Sequence, residues 1–220
     1  MPQKITAITP QKRNPRRVNI YLDGKFAFGL EKVIAAWLQV GQTLSEEEIA
    51  NLRQADAREA AYQQALRYCT YRPRTEQEVR RHLAKHGVDE AVADEILQRL
   101  RELSLVDDAR FAREWVESRA VFRPRGIWAL RQEMLAKGLP AEAIEEALAN
   151  VDEQTLAKKA LEKALRRYHN LPWQEMRRKI AAYLARRGFS SETVNAALND
   201  LQQQTQPDST SATPAEDNPP

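Results

Sequence analysis

Residues 79–88 read Val79-Arg80-Arg81-His82-Leu83-Ala84-Lys85-His86-Gly87-Val88, and the chain writes this frame three times. The anchoring glycines are Gly87, Gly138 and Gly188, 51 and 50 residues apart. Eight residues before them stand Val79, Leu130 and Ile180, and four before them Leu83, Met134 and Leu184. One residue after come Val88, Leu139 and Phe189; ten after, Leu97, Leu148 and Leu198; thirteen after, Leu100, Val151 and Leu201. A fixed period of this length defines a modular architecture.

Each frame predicts a helix running up to the glycine, because apolar positions four apart share a helical face. Glycine then ends the helix by entering the left-handed region. A second helix starts near Asp89, Pro140 or Ser190, residues suited to a helix entry. Another helix precedes each pair, over 56–71, 108–122 and 153–168. Each of these ends on an aromatic (Tyr71, Phe122, Tyr168), with Pro73, Pro124 and Pro172 beyond it. The unit is therefore three helices.

Residues 1–50 read differently. Lys4–Thr9 alternates as a strand does. Val18–Leu22 and Lys25–Leu30 flank Asp23-Gly24, a hairpin signal. A short helix is expected over 31–38, and Ser45 with Glu48 has capping-box spacing. The expected fold is mainly α: tandem three-helix modules in an elongated curved array behind a small N-terminal cap containing a β-hairpin. The expected segments are a cap over 1–54, repeats over 55–104, 105–151 and 152–204, and a disordered tail over 205–220, which lacks large aliphatic residues.

Composition removes several classes. No apolar run approaches the ~18 residues of a membrane span, and the opening residues lack the apolar core of a secretory signal. Cys69 is alone, so neither an intrachain disulfide nor a thiolate cluster can form, and a reducing cytoplasm is the expected setting. All 34 basic residues but only 28 of the 31 acids precede residue 202, which leaves that part at +6 and suits an acidic partner.

Charge also follows the repeat. Residues 72–86 and 117–137 each hold five Lys/Arg against two acids, and 158–187 hold ten against two. Beyond each glycine the sign reverses: residues 88–108 hold seven acids against two bases. Lys85, Lys137, Arg186 and Arg187 suit helix C-termini. Arg72, Arg74, Arg123 and Arg125 stand at helix starts, where positive charge opposes the dipole. They call for a carboxylate on the preceding module or for an external phosphate or acidic surface. Arg80, Arg81 and Arg131 extend that patch. Lys158, Lys159, Lys163, Arg166, Arg167, Arg177, Arg178, Lys179, Arg186 and Arg187 form a run with Tyr168, Trp173 and Tyr183 interleaved, a composition suited to nucleic acid. Lys12, Arg13, Arg16 and Arg17 read as a solvated loop in preference to a second contact.

Catalytic signals are weak. Gly24-Lys25 lacks the rest of a phosphate loop. His82 and His86 lack a third ligand and read as surface residues. Asp107-Asp108 reads as a helix cap, and Cys69 as a small buried hydrophobe. No enzyme activity, cofactor or metal is expected. A helix-turn-helix reader of base sequence is disfavoured, because the helix after each glycine is acidic.

A family resemblance rests on Tyr71-Arg72-Pro73-Arg74-Thr75 with Glu78, Arg81 and Leu83; on Leu105-Val106-Asp107-Asp108 with Phe111-Ala112 and Ser118-Arg119; and on Phe122-Arg123-Pro124-Arg125-Gly126 with Leu130 and Gly138. Tyr21-Leu22-Asp23-Gly24 and Gly41 to Leu44 add to it. Over about residues 17–200 the chain resembles the RecX family, bacterial regulators of the RecA recombinase. It departs in its acidic, Pro-rich tail and in a third repeat without Arg-Pro-Arg. The resemblance implies a non-enzymatic monomer that binds RecA and its filament on single-stranded DNA, lying in the filament groove. It implies restraint of filament growth, ATP hydrolysis, strand exchange and coprotease activity, in the setting of DNA recombination, repair and the SOS response. The alternative is a stand-alone nucleic-acid-binding protein without a RecA role.

Overall fold

The computed structural model describes residues 1–205, in which ten helices and four strands are found. The residues form two compact units, Met1–Asp107 and a second beginning at Asp108.

The first unit opens with an antiparallel sheet of order β3-β2-β1-β4, built from β1 (Gln3–Pro10), β2 (Arg17–Leu22), β3 (Lys25–Glu31) and β4 (Thr43–Leu44). Asp23 and Gly24 make the β2–β3 turn, with φ of 48° and 80°, as the Asp-Gly pair predicts. Alternation along β2 buries Val18, Ile20 and Leu22 against Ile5, Phe28 and Leu30. The helix expected over 31–38 is one turn, α1 (Lys32–Ala35).

Ser45 opens α2 (Glu46–Tyr71) through a full capping box: the Glu48 N–H donates to Ser45 Oγ at 3.1 Å, and the Ser45 N–H donates to Glu48 Oε2 at 2.7 Å. The helices expected near residue 45 and over 56–71 are thus one. No proline or glycine falls between Ser45 and Tyr71 to stop it. α2 runs straight across residues 54 and 55. Ile49 belongs to the cap core, while Ala61, Tyr62, Ala65 and Cys69 belong to the next. Arg17 ties the sheet to this helix, reaching Glu31 at 3.1 Å and Asp56 at 2.7 Å. It is a structural strut, which corrects its assignment to a solvated loop.

With α2, α3 (Glu76–Lys85) and α4 (Glu90–Glu102) complete the first module, around Val79, Leu83, Ile96, Leu97 and Leu100. The second unit holds α5 (Asp108–Phe122), α6 (Ile127–Ala136) and α7 (Ala141–Leu148), then α8 (Glu153–Tyr168), α9 (Trp173–Arg186) and α10 (Ser191–Thr205). The helices expected over 108–122 and 153–168 match α5 and α8 at both ends. Modules two and three share one core, running from Phe111 and Leu130 through Leu161 to Ile180 and Leu198. α10 continues to Thr205; the expected disorder over 206–220 lies outside the described residues.

All three glycines stop their helices in one way. Their φ values are 73°, 78° and 80°. The Gly87 N–H donates to Ala84 O at 3.0 Å and the Val88 N–H to Leu83 O at 3.2 Å. Gly138 and Leu139 repeat this with Leu135 and Met134, and Gly188 and Phe189 with Ala185 and Leu184. The crossed pair satisfies the last carbonyls and brings the following apolar residue back onto the one five positions earlier.

Gly188 carries a further constraint. A Cβ there would overlap Ala129, and a Cβ on Gly126 would overlap the Gly188 carbonyl. The Gly126 N–H donates to Arg187 O at 3.0 Å. Two backbones touch here, and the start of α6 is seated on the α9–α10 turn. Gly87 has nothing within 4 Å of its missing side chain. Gly87→Ala should therefore cost only the left-handed strain, about 1–2 kcal/mol. Gly188→Ala should cost about 3 kcal/mol or more, because overpacking adds to the strain. Urea denaturation of the two variants measures the difference; equal midpoints would contradict the contact.

Candidate functional site

The arginines expected at the surface divide into two sets once their side chains are placed. In the first module Arg72 grips Glu78 with both terminal nitrogens, at 3.3 and 3.2 Å. Glu78 is also the residue whose N–H is capped by Thr75. Arg74 lies over the Tyr68 ring at 3.8 Å and donates to the Tyr68 carbonyl at 3.3 Å, closing the end of α2. In the second module Arg125 Nε stands 2.7 Å from Glu133 Oε1, an ion pair whose N–H is not aligned on the oxygen. Glu133 Oε2 also accepts from Arg119 Nε at 2.7 Å and Trp115 Nε1 at 3.0 Å. The carboxylates required by Arg72 and Arg125 are therefore supplied by the helix each one precedes, not by the preceding module. A carboxylate also faces the start of α6, where Glu153 accepts from the Ile127 N–H at 2.8 Å and offsets the adverse charge.

Arg80 and Arg131 occupy the same place, seven residues before their glycines. Arg80 meets Asp94 at 2.6 Å, and Arg131 meets Glu145 with two bonds of 2.8 Å. Asp94 and Glu145 stand seven residues after those glycines. The reversal of charge at the glycine is thus partly consumed within each module: the basic helix folds back onto its acidic successor. Arg131 holds the Glu145 carboxyl below its ordinary range. The seven-before, seven-after spacing was readable in the sequence. In the third repeat Ala181 and Asn195 take these positions, so the clasp is missing.

The third module spends fewer of its cations internally. Lys158 lies 3.7 Å from Asp200, and Lys179 2.9 Å from Glu175. Lys163 donates to the Phe122 carbonyl at 2.9 Å. Arg187 donates to the Pro124 carbonyl at 3.2 Å and lies over Tyr183 at 4.4 Å, while Arg167 leans on Tyr168 at 5.5 Å. Lys159, Arg166, Arg177, Arg178 and Arg186 are exposed on α8 and α9, with no ion pair to a carboxylate among the described residues. These two helices pack against each other. Arg81 and Arg123 are likewise exposed and unpaired among the described residues.

The groups considered for chemistry sit in structural roles. His82 stacks flat on Tyr68 at 4.1 Å. Burial lowers its affinity for a proton, and His86, Arg74 and Lys85 reinforce this. Among the described residues no group of three or more His, Cys, Asp or Glu is placed to hold a metal. Asp107 directly precedes α5 and Asp108 opens it, where a cap belongs. No described helix is long and apolar enough to cross a membrane.

Three-helix modules closed by glycine stops, with arginines divided between internal struts and open cations, define a modular helical scaffold. Family models match along most of the chain. They are described as the Regulatory protein RecX N-terminal domain over residues 3–45, and as the first, second and third three-helix domains of RecX over 61–100, 107–148 and 152–198. The Regulatory protein RecX of Bacillus licheniformis is 35% identical over 201 residues, spanning 89% of this chain and 76% of that protein. That of Limosilactobacillus reuteri is 34% identical, spanning 90% and 76%. A crystal structure of regulatory protein RecX superposes with a TM-score of 0.74 at 33% identity, covering 90% of this chain and 99% of that one. RecX from Lactobacillus salivarius gives 0.61 at 26% identity, covering 67% and 98%. The chain belongs to the RecX family of regulatory proteins.

Burial pushes the Cys69 thiol up to about 11, against a smaller opposing pull from Arg74. At pH 8 the folded protein should therefore react with a thiol-modifying disulfide reagent at least about tenfold more slowly than the urea-unfolded chain. Equal rates, followed by absorbance, would place the sulfur at the surface.

Proposed function

We propose that this protein binds RecA and the RecA filament on single-stranded DNA and restrains its recombinase, ATPase and coprotease activities. It does so in the cytoplasm, as a monomer, without chemistry of its own. Membership of the RecX family supports the partner. The observation that carries the mode of contact is the set of unpaired cations on α8 and α9: Lys159, Arg166, Arg177, Arg178 and Arg186. Paired arginines have already exchanged water for a carboxylate and gain little by changing partner. Open guanidiniums keep that gain for phosphate or an acidic protein surface. The contact surface is then centred on the third module. Arg72, Arg74, Arg80, Arg125 and Arg131 act mainly as struts that hold helix starts and helix pairs, while Arg81 and Arg123 add open charge in modules one and two.

The test reverses charge only where no strut is broken. The combined Arg166→Glu, Arg177→Glu, Arg178→Glu and Arg186→Glu protein should keep its helical circular dichroism. It should need about tenfold or more protein to slow RecA's ATP hydrolysis on single-stranded DNA. Unchanged inhibition would overturn the assignment of the surface. Wild-type protein that binds single-stranded DNA in a salt-dependent way, yet leaves RecA's ATPase untouched, would favour a stand-alone nucleic-acid binder.

A further inference from the structure

Most aromatic rings of the helical modules have a face covered or are drawn into a core. Arg99 lies 3.5 Å over Tyr62, Arg74 3.8 Å over Tyr68, Arg119 4.1 Å over Trp115 and Arg187 4.4 Å over Tyr183. Tyr71 and Phe122 break this rule. They are 85% and 72% exposed, and neither makes a ring or cation–π contact among the described residues. Each is the last residue of its module's first helix, 51 residues apart in the chain, directly before Arg-Pro-Arg. Repetition of one exposed large ring at one structural position is not scatter. Trp128, also exposed, has no such recurrence: Gln77 and Arg178 take its place in the other modules.

Tyr71 precedes Arg72, which stays on Glu78 as a strut. Phe122 precedes the open Arg123, and Lys163 Nζ reaches the Phe122 carbonyl. The proline two residues later cannot continue the helix, so each ring stands at a helix end. We propose that Tyr71 and Phe122 are base-stacking ledges for single-stranded DNA. An unstacked base lies on each ring, and beside Phe122 the open Arg123 meets a phosphate. The inference rests on the DNA contact proposed above and adds its chemistry: contact through the faces of bases as well as through charge. Bases suit a surface of this kind because every base offers a π-face, so the same ring serves any sequence.

The test is fluorescence anisotropy of the full chain with labelled oligothymidylate and with an abasic strand of equal length, at one fixed salt concentration. The Tyr71→Ala, Phe122→Ala protein should bind oligothymidylate about tenfold or more weakly and the abasic strand as wild type does. Tyr71→Phe with Phe122→Tyr should restore wild-type affinity. Unchanged affinity for oligothymidylate overturns the ledges while leaving the electrostatic contact standing. An equal loss on both strands shows that the rings act on fold or charge, and also overturns them. Lost ATPase inhibition with unchanged oligothymidylate affinity assigns the rings to a protein partner instead. Wild-type protein that binds neither strand removes the DNA contact itself, and the ledges with it.

Discussion

A helix that ends on a left-handed glycine closes two crossed hydrogen bonds and folds the next side chain back against its own last turn. Everything else in the helical part of this protein depends on that closure. It fixes where the basic helix stops, where the acidic helix starts, and how the two face each other. The Arg80–Asp94 and Arg131–Glu145 clasps follow from it, because seven residues on either side of the turn are two helical turns away from it. In the third module the turn serves a second purpose. Gly188 must be bare on its outer side as well, since Ala129 lies directly against it.

The hydrophobic frame around the glycines carried the two helices and the stop within each repeat, while an aromatic followed by proline marked where α5 and α8 end. The Asp-Gly hairpin carried the cap. Local signals suffice there because turn conformation and helix period are set by neighbours in the chain. The fusion of two expected helices into α2 was readable too, from the absence of any breaker between Ser45 and Tyr71. It lost out to the expectation that a cap and a repeat meet at a joint.

The electrostatics were harder to read. Composition shows that a segment is basic but not which cations are already satisfied, because pairing depends on which acid the fold brings near. Arg72 and Arg177 look alike in the sequence, yet one clasps Glu78 and the other faces solvent. Glu133 is the clearest case. It is one of two acids in a basic stretch, yet it organises Arg119, Arg125 and Trp115. The exposed state of Tyr71 and Phe122 was hidden for the same reason, since an aromatic at a helix end points inward or outward according to tertiary packing.

α2 has a consequence for how this protein is divided. Its first turns are buried in the cap's sheet and its last turns in the first module, with Arg17 bolted to its middle through Asp56. Such a helix is a common beam. Ile49 in one core and Ala61, Tyr62, Ala65 and Cys69 in the other are carried by one uninterrupted helix, so the two cores are coupled through its backbone. The beam's length sets the distance between sheet and module, and an insertion of one residue would rotate one against the other by about 100°.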